Sequence, residues 1–376
     1  NALFRASQAT MTVSISVFLY EGFAYNIIYL GRILPAVGKH AFVLPFAILF
    51  NAIWGLAIWS YVRAHFSDPG RVPDKWRDFV RAIGDALPVV PARPEWQPGK
   101  ATYCKKCDLP RPERAHHCLL CEVCVLRMDH HCPWINNCVG LYNHKFFLLL
   151  GIYAWLASLI ALGTSLPELL RMIGVVTGLE SLEDLQLEQG GVQMWDVWAF
   201  LVFGLFATLI ALLLTSLLST HVPLACRNLT TIEDFYENMP NPFERGSRIA
   251  NLAQVFGEPG IDWLIPVRPC RPTSDGILYP PLRQLGGLDG GSSRECQTLH
   301  LNERDYLKVD EAGLMDRWAL LHEEGADPEG AWRVRYRVRT AEEMKAMYEE
   351  SGNPFPVQFW ACGRGNDRDR PRGPIA

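Results

Sequence analysis

The chain lacks a strong charge of either sign. Its 376 residues set 36 Lys and Arg against 40 Asp and Glu, a formal net charge of -4. That leaves no global field to attract a polyanion, so nucleic-acid binding is not expected. Charge is also missing locally, and there its absence says more. Residues 42–62, 146–166 and 197–218 contain no Asp, Glu, Lys or Arg. Each stretch is long enough to cross a hydrocarbon layer of about 30 Å at about 1.5 Å of helix rise per residue. Residues 13–30 form a weaker fourth stretch with Glu21 and Asn26 inside it. A Glu within a span belongs on the bundle interior or near an interface. A cleaved leader fits this stretch poorly: it is longer than the apolar part of a signal peptide and has no basic flank beyond Arg5. The chain starts at Asn1 rather than Met, as a truncated sequence would. The C-terminus lacks a retention signal, and the tail lacks an internal repeat.

Cysteine is present but concentrated. Seven of the 11 cysteines and four of the 10 histidines fall between Cys104 and Cys138. The order is Cys104-x2-Cys107-x9-His117-Cys118-x2-Cys121-x2-Cys124-x4-Asp129-His130-His131-Cys132-x5-Cys138. Short Cys-x2-Cys knuckles present two thiolates to one tetrahedral zinc without strain. Two zinc ions would use eight of these Cys and His residues and leave three over. Within the Asp129-His130-His131-Cys132 run, a spare Cys beside a spare His is a candidate nucleophile with its base. Thiolate ligands persist in reducing cytosol, so the loop over 63–145 is expected there. Its frequent Lys and Arg agree with the positive-inside rule, weakly because the loop is long. The acidic loop over 168–196 fits the lumenal side, and four spans then put both termini in the cytosol.

Between the second span and the block, prolines and Asp68-Pro69-Gly70 predict a turn followed by extended chain over 67–99. A short helix is expected at 251–256, stopped by Gly257. Residues 286–291 read as a flexible break, 306–324 and 340–350 as helical, and 363–376 as disordered.

Together the cysteine block, the Asp-His-His-Cys run and the four spans resemble the DHHC protein S-acyltransferases, or palmitoyltransferases. Asp68-Pro69-Gly70 is similar to that family's Asp-Pro-Gly motif, and Thr230-Thr231-Ile232-Glu233 to its Thr-Thr-x-Glu motif. Residues 251–257, preceded by Gly246, resemble its segment with a conserved Asn. The likeness covers about residues 10–270. It implies an all-α integral membrane protein: four transmembrane helices with a cytosolic two-zinc cysteine-rich domain between helices 2 and 3. Residues 1–66 would hold spans 1 and 2, and 67–145 the linker and zinc domain. Spans 3 and 4 would occupy 146–220, and the cytosolic C-terminal region 221–376.

The resemblance also assigns roles. One zinc would bind Cys104, Cys107, His117 and Cys124, the other Cys118, Cys121, His131 and Cys138. Both sets are Cys3His, the make-up of closed structural sites. His116, His130 and Cys132 remain free. Cys132 would be the nucleophile, His130 its base, and Asp129 the group that orients the base. Cys132 would take a palmitoyl or similar chain from fatty acyl-CoA and pass it to a cysteine thiol of a substrate protein. Arg111, Arg114 and His116 would meet the CoA phosphates, with Lys105, Lys106 and Arg127 as possible additions. Trp134 and Phe147 would line the mouth of an acyl slot in the bilayer, with Ala157 toward its far end. Thr231 and Glu233 would pin the site, Thr231 through Asp129, and Asn251 would cap backbone groups near the spans. Expected partners are palmitoyl-CoA, membrane lipids and substrate proteins at the cytosolic face or anchored in the membrane. The expected location is the endomembrane system, ER or Golgi.

Overall fold

The computed structural model describes residues 2–181, 191–279 and 328–351. Helix α1 (Ala2–Phe23) runs on through a π-helical stretch, Ala24–Ile33, to a last turn at Leu34–Ala36. Helix α2 spans His40–Phe66, and the short α3 spans Asp74–Ile83. Seven small strands follow: β1 (Val89–Val90), β2 (Ala101–Cys104), β3 (Leu109–Arg111), β4 (His116–Cys118), β5 (Val123–Val125), β6 (His130–Cys132) and β7 (Asn137–Val139). Then come α4 (His144–Thr177), α5 (Met194–Cys226), α6 (Arg248–Phe256), α7 (Pro328–Arg335) and α8 (Ala341–Ser351).

Among the described residues, four helices are long and apolar enough to cross a membrane: Arg5–Ala36, His40–Phe66, His144–Thr177 and Met194–Cys226. The cysteine-rich segment lies between the second and the third. Apolar residues appear on both sides of each long helix, as expected where lipid replaces water. Leu44, Ile48, Leu209, Leu212 and Leu213 point outward, while Tyr25, Tyr29, Phe50, Phe200 and Phe203 pack inside. Tyr25 stacks on Phe50 with ring centres 4.0 Å apart. Glu21 is buried in the bundle, as its position in a span demands. Far from the cysteines, buried Glu168 and Asp196 take Lys39 at 2.6 Å and Arg32 at 3.1 Å. Glu168 and Asp196 therefore each carry their own cation.

The mostly helical chain gains its strands in the cysteine-rich segment. β2–β3, β4–β5 and β6–β7 are antiparallel hairpins, and β1 pairs parallel with β2. Asp68 Oδ1 accepts hydrogen bonds from the Gly70 and Arg71 amides at 2.8 and 2.9 Å. That turn ends the exit from α2, with Gly70 at φ +107°. Gly70 O then accepts the Leu126 amide at 2.7 Å, stitching α2 to the zinc hairpins.

The extended chain expected over 67–99 is corrected by α3. Trp76, Phe79, Val80 and Ile83 recur at helical spacing and are all buried, behind a Pro that precedes the first turn. Their face packs against Trp332, Tyr336 and Met344 of the C-terminal segment. Arg335 reaches Glu113 at 2.7 Å across the same contact. The helix expected near 251–256 is Arg248–Phe256, capped by the Ser247 hydroxyl and stopped at Gly257 with φ +80°. The helix expected over 340–350 is α8. The readings for 286–291, 306–324 and 363–376 lie outside the described residues.

Candidate active site and metal centres

Period-two geometry organises the Asp-His-His-Cys run. In hairpin β6–β7, His130 faces Val139, His131 faces Cys138 and Cys132 faces Asn137. Alternate side chains of a strand point to opposite faces, so His130 and Cys132 share one face while His131 and Cys138 share the other. The hairpin thus separates a metal face from a reactive face.

On the metal face, Cys118, Cys121, His131 and Cys138 converge, and a second group gathers Cys104, Cys107, His117 and Cys124. Ligands about 2.0–2.3 Å from a tetrahedral zinc sit roughly 3.3–3.8 Å from one another. In the first group His131 Nδ1 is 3.6, 3.4 and 3.7 Å from the sulfurs of Cys118, Cys121 and Cys138. In the second, His117 Nδ1 is 3.2 Å from Cys107 Sγ and 3.8 Å from Cys124 Sγ, and the two sulfurs are 3.6 Å apart. These spacings fit a tetrahedral ion and exclude sulfur–sulfur bonds, and all these cysteines are free. Both Cys3His groups could hold metal ions, consistent with zinc. His131 has a further contact: its Nε2 is 3.4 Å from Ser7 Oγ of α1.

On the reactive face, Asp129 Oδ2 accepts from His130 Nδ1 at 2.6 Å. Asp129 Oδ1 takes the Thr231 amide at 2.8 Å, and the Thr231 hydroxyl donates to Asp129 O at 2.7 Å. The carboxylate is buried, and its own amide is tied to Val139 O at 2.8 Å. Burial would raise its pKa, but the His130 bond, nearby imidazoles and the Thr231 amide hold it well below the usual carboxylate range. Burial would lower the His130 pKa, but hydrogen bonds to Asp129 and Cys132 raise it to about 9. Cys132 is itself buried, among Phe146, Phe147, Leu149 and Ala64 at the ends of the spans. A thiol beside an imidazole oriented by a carboxylate can form a thiolate and attack a carbonyl carbon.

Residues 97–238 match the family model described as DHHC palmitoyltransferase. A probable protein S-acyltransferase 13 of Arabidopsis thaliana is 32% identical over 74% of this chain and 89% of its own length. The chain belongs to the DHHC palmitoyltransferase family. Palmitoyltransferase ZDHHC20 of Mus musculus is 29% identical over 78% of this chain and 80% of its own length. Its human counterpart is 31% identical over 65% and 68%. The enzyme class follows: a protein S-acyltransferase that modifies proteins with palmitoyl groups, here a multi-pass membrane protein.

This DHHC chain has a buried polar network under its reactive face. Glu233 binds Arg114 through both carboxylate oxygens, at 2.7 Å each, with both side chains about 1% exposed. Asn228 Oδ1 receives Arg114 Nη1 at 3.3 Å and Arg127 Nη2 at 3.1 Å. Asn251 Nδ2 donates to Cys226 O at 2.9 Å, the last residue of α5, and its Oδ1 takes the Arg245 amide at 2.7 Å. Arg114 and Arg127 are therefore buried in protein contacts. Both are committed to Asn228, and Arg114 also to Glu233.

Arg111, Arg114 and His116 all border one open pocket, with Arg93, Lys100, Trp96 and Tyr236. Burial and the neighbouring Arg111 lower the His116 pKa to about 4, so its ring is neutral near pH 7. Lys105 and Lys106 are exposed. Trp134 is exposed at the hairpin turn, where its carbonyl takes the Tyr61 hydroxyl at 3.0 Å. Phe147 is buried edge-on to His130, with ring centres 5.2 Å apart. Ala157 lies deeper in the bundle, packed in the cluster with Tyr25 and Phe50.

Sequence reasoning missed His221, which sits close to Asp129 and Phe147 from the end of α5. It also missed Asn228. Neither belongs to a spacing pattern: His221 follows a long apolar run, and Asn228 sits just outside the Thr-Thr-x-Glu motif.

Proposed function

We propose that the chain transfers a long-chain acyl group, palmitoyl, from acyl-CoA to cysteine thiols of substrate proteins through an acyl-Cys132 intermediate. The observation that carries this reading is His130, bonded to Asp129 and facing the same side of the hairpin as Cys132. In the first step His130 takes the Cys132 proton and the thiolate attacks the thioester carbonyl. The carbon–sulfur bond to CoA breaks, and the CoA thiolate receives the proton. In the second step the substrate thiol gives its proton to His130 and attacks acyl-Cys132. Cys132 leaves and regains its proton. One thioester replaces another at each step, so no energy source is needed. Ping-pong kinetics follow.

Bound zinc would supply rigidity: each Cys3His set is complete without an open position. His131 and Cys138 then fix the strands that present His130 and Cys132. Arg111 and His116, with Lys100 and Arg93, are the groups for the CoA phosphates, Arg111 by charge and His116 as a neutral donor. Phe147 and Trp134 border the acyl chain where Cys132 meets the spans. A chain buried there gains about 0.8 kcal/mol per CH2. The reducing conditions suited to thiolate ligands support a cytosolic active site and cytosolic termini, in ER or Golgi membrane. Substrates are membrane-anchored or cytosolic-face proteins that bring a Cys to this height.

The test is autoacylation with alkyne-labelled palmitoyl-CoA on zinc-loaded protein in detergent. Hydroxylamine-sensitive label that disappears in Cys132→Ser and falls sharply in His130→Ala is expected. Equal labelling of wild type and Cys132→Ser would refute the acyl-Cys132 step.

A further inference from the structure

The carboxylate that orients His130 has a second histidine against it. His221 Nδ1 stands 3.6 Å from Asp129 Oδ2, the same oxygen that takes His130 Nδ1 at 2.6 Å. The His221 side chain is 12% exposed, and its Nδ1 has no hydrogen-bond partner among the described residues. Phe147 stands edge-on to both imidazoles, at 5.2 Å from His130 and 5.0 Å from His221. The two imidazoles are 5.4 Å apart. The Phe147 ring therefore limits how far either histidine can turn away from the carboxylate.

A buried donor without a partner is costly, and a buried carboxylate can accept several hydrogen bonds. A shift of less than about 1 Å would bring His221 Nδ1 to ordinary hydrogen-bond distance. Asp129, His130 and His221 also lie close enough to hold a metal ion. The short Asp129–His130 bond already occupies an oxygen and a nitrogen such an ion would need, which favours a proton-sharing arrangement.

We propose that His221 is a positioning residue for acyl transfer. It donates from Nδ1 to Asp129 Oδ2 and completes a three-point hold on the carboxylate with Thr231 and His130. Because His221 rides on α5, the hold ties the geometry of the reactive face to the position of the fourth span. A carboxylate with one donor fewer can rotate, and His130 then spends less time aimed at Cys132. This inference rests on the acyl-Cys132 reading.

The experiment measures the rate of acyl-Cys132 formation against palmitoyl-CoA concentration in four zinc-loaded proteins. These are wild type, His221→Phe, His221→Asn and His221→Gln. Phe keeps the ring and removes the donor. Asn carries an amide near the position of Nδ1, and Gln carries one near Nε2. Loss of one hydrogen bond to a charged group predicts a maximal rate roughly tenfold lower for His221→Phe, with the half-saturating palmitoyl-CoA concentration unchanged. His221→Asn should recover to within about threefold of wild type, and His221→Gln should not. A wild-type rate in His221→Phe overturns the inference, and so does equal slowing in Asn and Gln. If His221→Phe loses zinc, the comparison of Asn with Gln decides alone. Absence of Cys132 labelling in wild type would instead refute the acyl-Cys132 reading, so the two failures are distinct.

Discussion

Removing the carboxylate of Glu233 should destabilise the fold more than any exposed charge change could. Glu233 takes Arg114 Nε and Nη2 at 2.7 Å each and the Thr230 amide at 3.0 Å. The guanidinium also lies over Phe243, 4.5 Å from the ring centre, so water does not reach it. Glu233→Ala leaves that cation buried beside Arg127 with no anion in contact. Breaking a buried pair in this way costs about 3–5 kcal/mol. Arg114→Met with Glu233→Met removes both charges and should cost clearly less than the two single changes summed. Equilibrium unfolding of zinc-loaded protein in mixed micelles, followed by tryptophan fluorescence, measures both. The pH dependence has a definite sign. Burial would raise the Glu233 pKa, but Arg114 outweighs it and the folded value is depressed. The pair's contribution is then complete above the unfolded carboxyl pKa of about 4.3 and is lost only as pH falls through the lower folded value. The stability difference between wild type and the double variant should be flat from about pH 5 to 8 and change only in acid. A single-variant loss under about 1 kcal/mol, or additive losses, would refute the reasoning.

Thr231→Val keeps the amide bond to Asp129 and removes the hydroxyl bond; autoacylation should slow by about threefold to tenfold, with Thr231→Ser near wild type. Cys138→Ser should lower the zinc content measured by elemental analysis and abolish autoacylation, because Cys138 is both a group member and the strand partner of His131. Gly140→Ala should cost about 1–3 kcal/mol in the same unfolding assay, since a Cβ there would meet Pro69 O and Val125 Cγ1 at 2.5 Å. Trp332→Ala should release the C-terminal helices to limited proteolysis, through a cavity cost of about 3–5 kcal/mol against Trp76 and Phe79.

Much of the site was legible because its chemistry depends on local spacing. Cys-x2-Cys knuckles bring two thiolates together whatever surrounds them, and His130-x-Cys132 in a strand puts an imidazole and a thiol on one side. The apolar runs were equally legible, since crossing a membrane needs length and the absence of charge. α3 was obscured by the prolines around it, although Trp76, Phe79, Val80 and Ile83 kept helical spacing. Other properties depend on elements far apart in the chain. Arg114 looks like a free cation in its own segment, and only the approach of Glu233 and Asn228 removes it from solvent. His221 looks like one more residue at the end of a span until α5 brings it against Asp129. By itself, then, the sequence determined that a block of closely spaced Cys and His can hold metal, that a spare Cys lies two positions from a spare His, and where the charge-free apolar runs fall, because each is a local pattern. The division of the ligands into two sets came with the family resemblance. The tertiary structure alone decided that Arg114 and Arg127 are buried against Asn228, and which donors hold the Asp129 carboxylate. Burial and charge pairing arise between segments, and no local pattern encodes them.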